Sequence, residues 1–278
     1  MKEICANLAE EHAVLDAIVA DLDEAAWNTP TPAEGWTIKD QISHLAYFDN
    51  RARLAATDPE AFTEHIKEVL KDTQGFREQY MSNGRSMSIP KLLEWWREER
   101  TFLVSALESV DPKFRIPWYG PPMSAKSHAT ARLMETWAHG QDIVDALGVH
   151  RPPTDRLRHI AHLGFTTFGW SFSNHKMEVP DTSVRLELTS PSGEPWTWGP
   201  EQAENIVRGP AEDFCLVVIQ RRNIADMDII IQGDIASQWM SIAQCFAGPG
   251  TIGPKPGTFS KRGSQGARDK NLASASII

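Results

Sequence analysis

The chain has 278 residues, 41% of them hydrophobic and 23% charged, with a formal net charge of −9. That length and balance suit one large or two ordinary globular domains, each able to bury a core. The acidity argues against a nucleic-acid or anionic-membrane surface, both of which demand clustered Lys and Arg, and points to small-molecule or protein partners.

In chain order, Ile4, Leu8, Leu15 and Ile18 give residues 3–20 a helical period. This N-terminus is acidic and amphipathic rather than a basic segment followed by an apolar run. No stretch approaches the ~18 uninterrupted apolar residues of a membrane helix, so a cytoplasmic protein without a membrane partner is expected. The Pro-rich NTPTPAEGWT at 28–37 interrupts the helical pattern. Thr37 is placed to cap a second helix, IKDQISHLAYFDNRARLAA, with Asp40 completing a capping-box-like start. Helical patterns follow near 59–72 and 89–110, the second tolerating Pro90 in its first turn. A tight loop, RIPWYGPPMSAKS at 115–127, precedes a helix over roughly 127–147 that Gly148 ends.

After about residue 180 the pattern changes. SVRLELTSPSGEPWTWG alternates Val184, Leu186 and Leu188 toward one face, breaks at Pro-Ser-Gly and resumes with Trp196 and Trp198, which predicts a hairpin. GPAEDFCLVVIQRRN then predicts a helix, MDIIIQGD a short strand and IASQWMSIAQCFAG a closing helix. The expected fold is mainly α: a four-helix bundle over 1–150, a helical connection over 151–180 and a small α+β domain over 181–250. Gly, Pro, Ser and Lys dominate 251–278, which reads as a mobile tail. Cys5, Cys215 and Cys245 are few, odd in number and far apart, and two lie in apolar runs. They imply no disulfide framework, and with no nucleophile elbow in the chain they leave it without a convincing nucleophile of its own.

The chemistry concentrates in ETWAHGQD at 135–142, where Glu135, His139 and Asp142 fall within about 60° of one another on one helix face. Leu133, Trp137, Val144 and Leu147 form the opposite, apolar stripe. A polar face of this kind can hold a metal or simply meet water. A metal would need a third ligand from another helix, and His44 is the candidate, with Tyr47, Phe48 and Arg51 sharing its face like the lining of a pocket. Two His and one carboxylate would leave a coordination position for water or a substrate atom. Spacing alone leaves both readings open.

GWTIKDQISHLAYFD, followed further along by ARLMETWAHGQDIVDALG, resembles the DinB/YfiT-like metal-binding superfamily. The likeness is to the branch of the mycothiol-dependent maleylpyruvate isomerases, and the overall pattern is similar to an uncharacterised metal-binding group within it. The region from VRLELTSPSGEPWTWG to IQGDIASQWM is similar to the small C-terminal domain of that branch. The resemblance implies a DinB-like four-helix bundle that holds a divalent metal, commonly zinc, through His44, Glu135 and His139. Such ligands also accommodate nickel, iron or manganese. Around them, Trp118, Tyr119 and Met123 are expected to wall the cleft, His128 to line it, and Asp142 to orient His139. Arg51 is the first candidate to bind a carboxylate of substrate or thiol, ahead of Arg97, Arg100, Arg221 and Arg222. His159 and His162 lack a carboxylate or thiolate companion and are not expected to form a second site.

The function expected is that of a divalent-metal-dependent enzyme of the isomerase or transferase type, acting on a small molecule with a low-molecular-weight thiol such as mycothiol as co-substrate. The alternatives are a hydrolase using metal-activated water and a metal-containing binding module without turnover. A homodimer is left open.

Overall fold

Apolar residues at helical spacing build the N-terminal half around four long helices: α1 (Lys2–Val19), α3 (Ile38–Thr57), α6 (Ile89–Ser109) and α7 (Ala125–Leu147). In the computed structural model, which describes residues 1–259, α1 and α3 each pack against both α6 and α7, and this closes the bundle. The short α2 (Glu24–Trp27) and the consecutive α4 (Pro59–Lys71) and α5 (Thr73–Ser86) complete this unit, Met1–Pro152. Leu15, Trp27, Ile42, Leu45, Trp96 and Ile143 meet in one wholly buried cluster. Each such side chain contributes roughly 1.5–3 kcal/mol relative to exposure.

Helix ends follow the expected chemistry. The Thr37 hydroxyl accepts from the Asp40 amide at 3.4 Å, and the Asp40 carboxylate accepts from the Thr37 amide at 2.9 Å. This capping box fixes where α3 starts and therefore how His44 is phased around it. Gly148 ends α7 in the left-handed conformation, φ 64°.

Helix α5 goes unread in the sequence, which passes from the pattern at 59–72 to that at 89–110. Its polar composition, with Gly75 and Gly84, gives little apolar period. Tertiary contacts hold it instead. A Cβ on Gly84 would lie 1.7 Å from Ser43 Oγ, so only glycine lets α5 lie this close to α3. Arg85 donates to Asp40 at 2.8 Å and to the Gly35 carbonyl at 3.0 Å, while Lys39 reaches the carbonyls of Arg85 and Met87. The loop before α7 contains a two-residue antiparallel ladder, β1 (Arg115–Ile116) with β2 (Met123–Ser124), which brackets Trp118 and Tyr119.

The second unit begins at Pro153. Helices α8 (Leu157–Thr166) and α9 (Phe168–Asn174) precede β3 (Val184–Thr189), β4 (Pro195–Trp198) and β5 (Asn205–Pro210). Then come α10 (Ala211–Val218), a 3₁₀ turn (Ile224–Asp226), β6 (Ile230–Gln232) and α11 (Asp234–Ile242). The sheet order is β4-β3-β5-β6, with β3 and β5 parallel and the outer pairs antiparallel. The expected hairpin pairs Leu186 with Trp198 and Leu188 with Trp196, and the alternating Val184, Leu186 and Leu188 are buried. Strand β5 was not expected: its apolar run, Ile206-Val207, is too short to announce a strand, and its parallel pairing with β3 secures it. Helix α10 stops at Val218 rather than at the arginines, because Gln220 takes a positive φ of 57°.

The part of the expected tail that is described lies against this unit. Gln244 accepts from the Thr251 amide at 3.1 Å, Asn223 donates to the Pro254 carbonyl at 2.9 Å, and Asp226 accepts from the Gly257 amide. The rest of that segment, 260–278, lies outside the described residues. No helix among the described residues is long and apolar enough to cross a membrane.

Candidate metal centre

Glu135 and His139 stand one turn apart on α7, so their side chains stack on one face, and that face meets α3. His139 Nε2 lies 3.2 Å from Glu135 Oε2, and His44 Nε2, from α3, lies 4.0 Å from the same oxygen. One ligand atom from each of the three falls within 4.8 Å of the others. The face is largely withdrawn from water: His139 is 8% exposed, and His44 and Glu135 are half-buried. The two imidazoles sit with centroids 4.4 Å apart, and Trp36 stacks nearly parallel to His139 at 5.9 Å.

The donor chemistry tests whether a metal fits here. His139 Nδ1 lies 2.5 Å from the side-chain oxygen of Gln41, while Nε2 faces a carboxylate. Both ring nitrogens therefore face acceptor oxygens, yet a neutral imidazole carries one N–H. A cation at Nε2, a second proton or a divalent ion, resolves the conflict. Two imidazole nitrogens and a carboxylate oxygen suit zinc and its neighbours. Burial works against the Glu135 charge, but the hydrogen bond and charge of His139, with Arg132 and His44 behind them, outweigh it and bring the carboxyl down to about 2. Glu135 is a carboxylate at neutral pH.

Beneath the triad, the same face of α7 continues inward through Arg132 and His128. Arg132 Nε donates to Asp49 Oδ1 at 3.0 Å, both side chains being almost wholly buried, and His12 Nε2 stands 3.6 Å from the other Asp49 oxygen. His128 is fully buried, edge-on to Trp118 at 4.7 Å, with neither ring nitrogen hydrogen-bonded to a described residue. Burial first, then Arg132, pushes its pKa down to about 3, so the ring is neutral. His128 is thus packed behind Trp118 and not exposed as the lining residue the sequence suggests.

Beside His44 the structure assembles aromatic rings. Phe48 lies 4.5 Å from His44, and Tyr80, Tyr119 and Trp118 stand around it at 5.7, 5.8 and 6.3 Å. Phe62 stacks on Trp118 at 5.4 Å, and His65 Nε2 meets the Tyr119 hydroxyl at 2.9 Å. Tyr47 stacks on Tyr80 at 5.0 Å, and the Arg51 guanidinium lies 5.4 Å over the Tyr47 ring while donating to Asn50. Met123 is placed in β2 opposite Ile116.

With this geometry in view, comparison with known proteins places the chain. Residues 8–144, which include His44, Glu135 and His139, match the family described as mycothiol maleylpyruvate isomerase N-terminal domain. Over 244 residues the chain is 46% identical to an uncharacterized protein found in two strains of Mycobacterium tuberculosis, covering 88% of this chain and 95% of the relative. The chain belongs to the mycothiol maleylpyruvate isomerase N-terminal domain family. Two crystal structures of the mycothiol-dependent maleylpyruvate isomerase, one of a variant, align with a TM-score of 0.51. They cover 79% of this chain and 89% of theirs at 18% identity, a likeness that establishes the fold.

The sequence assigns the orienting of His139 to Asp142, but the group at His139 Nδ1 is Gln41 of α3; Asp142 itself is buried. Arg97 and Arg100 both bind Asp16 and tie α6 to α1. Among the described residues, His44, Glu135 and His139 are the group placed to share a metal; His162 instead accepts from the Trp198 indole at 3.3 Å. Gln41, Trp36, Phe62, His65 and Tyr80 were missed. Only Gln41 carried a signal, standing three residues before His44 and so near its face.

Proposed function

We propose that this family member is a divalent-metal-dependent enzyme of the thiol-dependent isomerase or transferase type, with His44, Glu135 and His139 as metal ligands. What carries the reading is the convergence of these three side chains from α3 and α7 in a domain of the mycothiol maleylpyruvate isomerase family. A bound divalent ion, zinc first and nickel, iron or manganese next, would supply the positive charge that lowers a thiol's pKa and yields thiolate at neutral pH.

The chain's own residues define the rest of the chemistry. The nucleophile comes from outside, because Cys5, Cys215 and Cys245 are all buried. Burial, with Glu108 adding to it, pushes the Cys5 thiol up to about 11, and burial with Cys245 raises Cys215 well above the usual range. Tyr47, Phe48, Trp118 and Tyr119 offer ring faces to the carbon body of a small electrophile and keep water from it. Arg51 offers paired donors to a carboxylate on substrate or thiol. Mycothiol is the thiol carried in the name of the solved relatives and the first to try.

The test is to add mycothiol and other small thiols to cobalt-substituted protein. A strong thiolate-to-metal charge-transfer band is expected, with an apparent pKa well below the ~8.5 of a free thiol. Glu135→Gln should weaken the response and Cys215→Ala leave it unchanged. No spectral change with any thiol, together with turnover of an ester or amide in its absence, would replace this reading with that of a hydrolase.

A further inference from the structure

His139 is held from behind by a short chain of hydrogen bonds that leads out of α3 into the loop before it. Gln41 is wholly buried, and its Oε1 meets His139 Nδ1 at 2.5 Å. Its Nε2 donates to Thr31 Oγ1 at 2.8 Å. The Thr31 hydroxyl in turn donates to the Trp36 carbonyl at 3.1 Å, and the Thr31 amide donates to the same carbonyl at 2.8 Å. Pro30 and Thr37 bridge across the base of this loop, so Thr31 is fixed relative to the start of α3. The indole of Trp36 lies on the His139 ring from the side.

The direction of this chain follows from its far end. A carbonyl only accepts, so the Thr31 proton points at Trp36, and the Thr31 oxygen is left to accept from Gln41. Gln41 must then present its NH₂ to Thr31 and its oxygen to His139. An oxygen at Nδ1 requires a proton there, which leaves Nε2, on the side of Glu135 and His44, with its lone pair available. We propose that Gln41, aimed by Thr31, is the positioning residue of the centre. It keeps the His139 proton on Nδ1 and turns Nε2 toward a divalent cation shared with Glu135 and His44. The inference rests on the reading of the triad as a metal centre, and its test separates the two.

The variants are chosen to match Gln41 in size. Gln41→Met keeps the shape and removes the acceptor, and Gln41→Glu keeps an acceptor oxygen for His139 Nδ1. Zinc affinity is measured on chelator-treated full-length protein by competition with a chromophoric chelator, alongside the melting temperature of the metal-free protein. Gln41→Met is expected to weaken zinc about 10- to 100-fold, the usual effect of losing a partner behind a ligating histidine, and Gln41→Glu to stay within a few-fold of wild type. In zinc-loaded protein with ¹⁵N-labelled histidine, a slowly exchanging His139 Nδ1–H signal is expected in wild type and lost in Gln41→Met. Should Gln41→Met fail to fold, Thr31→Val frees the amide without touching the ring and should weaken zinc by a few-fold. Wild-type affinity in whichever of these two variants folds would overturn the positioning role while leaving the metal centre standing. Equal weakening by Gln41→Met and Gln41→Glu would overturn the acceptor argument. No zinc binding by the wild type would instead remove the reading beneath it.

Discussion

Acidification from pH 7.5 to 5.0 should cost the N-terminal unit about 2 kcal/mol through His128 alone. The ring is fully buried without a hydrogen-bonded partner among the described residues, and its pKa sits at about 3. In the unfolded chain it returns to about 6.5. Between those values the unfolded state binds a proton that the folded state does not, so stability rises with pH across this window. It is complete above about 6.5, falls by roughly 1.4 kcal/mol per pH unit below that, and stops falling near 3. The perturbation is His128→Leu, close in volume and unable to titrate. Urea unfolding of metal-free wild type and variant, read at the transition of the N-terminal unit at both pH values, gives a double difference. His12, whose pKa burial also depresses, cancels there because both proteins carry it. A double difference below about 0.5 kcal/mol would show that His128 accepts a proton in the fold, and would refute the argument from burial.

Two further perturbations probe the frame around the site. Asp49→Asn should cost about 3–5 kcal/mol, because it leaves the buried Arg132 guanidinium without its counter-charge, and Asp49→Leu with Arg132→Met should recover most of that loss in the same unfolding assay. Gly84→Ala should cost about 1–3 kcal/mol in thermal unfolding, since the added methyl would meet Ser43 at 1.7 Å; an unchanged melting temperature would mean that α5 is not tightly seated on α3.

Much of the bundle was legible because its helices announce themselves locally. Thr37 and Asp40 carry a capping box, Gly148 a left-handed stop, and the apolar residues of α1, α6 and α7 recur at helical spacing. The triad was legible only in part from spacing, which puts Glu135 and His139 on one face; the family resemblance implied His44 as their companion, and the structure brings the three together. Elements held by tertiary contacts were not. Helix α5 is polar and depends on Gly84, Arg85 and Lys39 meeting α3 and the loop before it, while β5 is secured by pairing with β3. Gln41 shows the limit most plainly. It lies 98 positions from His139 in sequence, and only the packing of α3 on α7 reveals that its amide, and not the carboxylate of Asp142, meets the ring.

Whether His44, Glu135 and His139 hold a divalent ion is tested most directly by titrating zinc into chelator-treated protein and counting the ions bound per chain. One ion is expected in wild type, with binding largely lost in His44→Ala and in His139→Ala while the far-ultraviolet helical signal stays intact, because the bundle keeps its own apolar core. Zinc retained at wild-type stoichiometry in both variants would contradict the assignment.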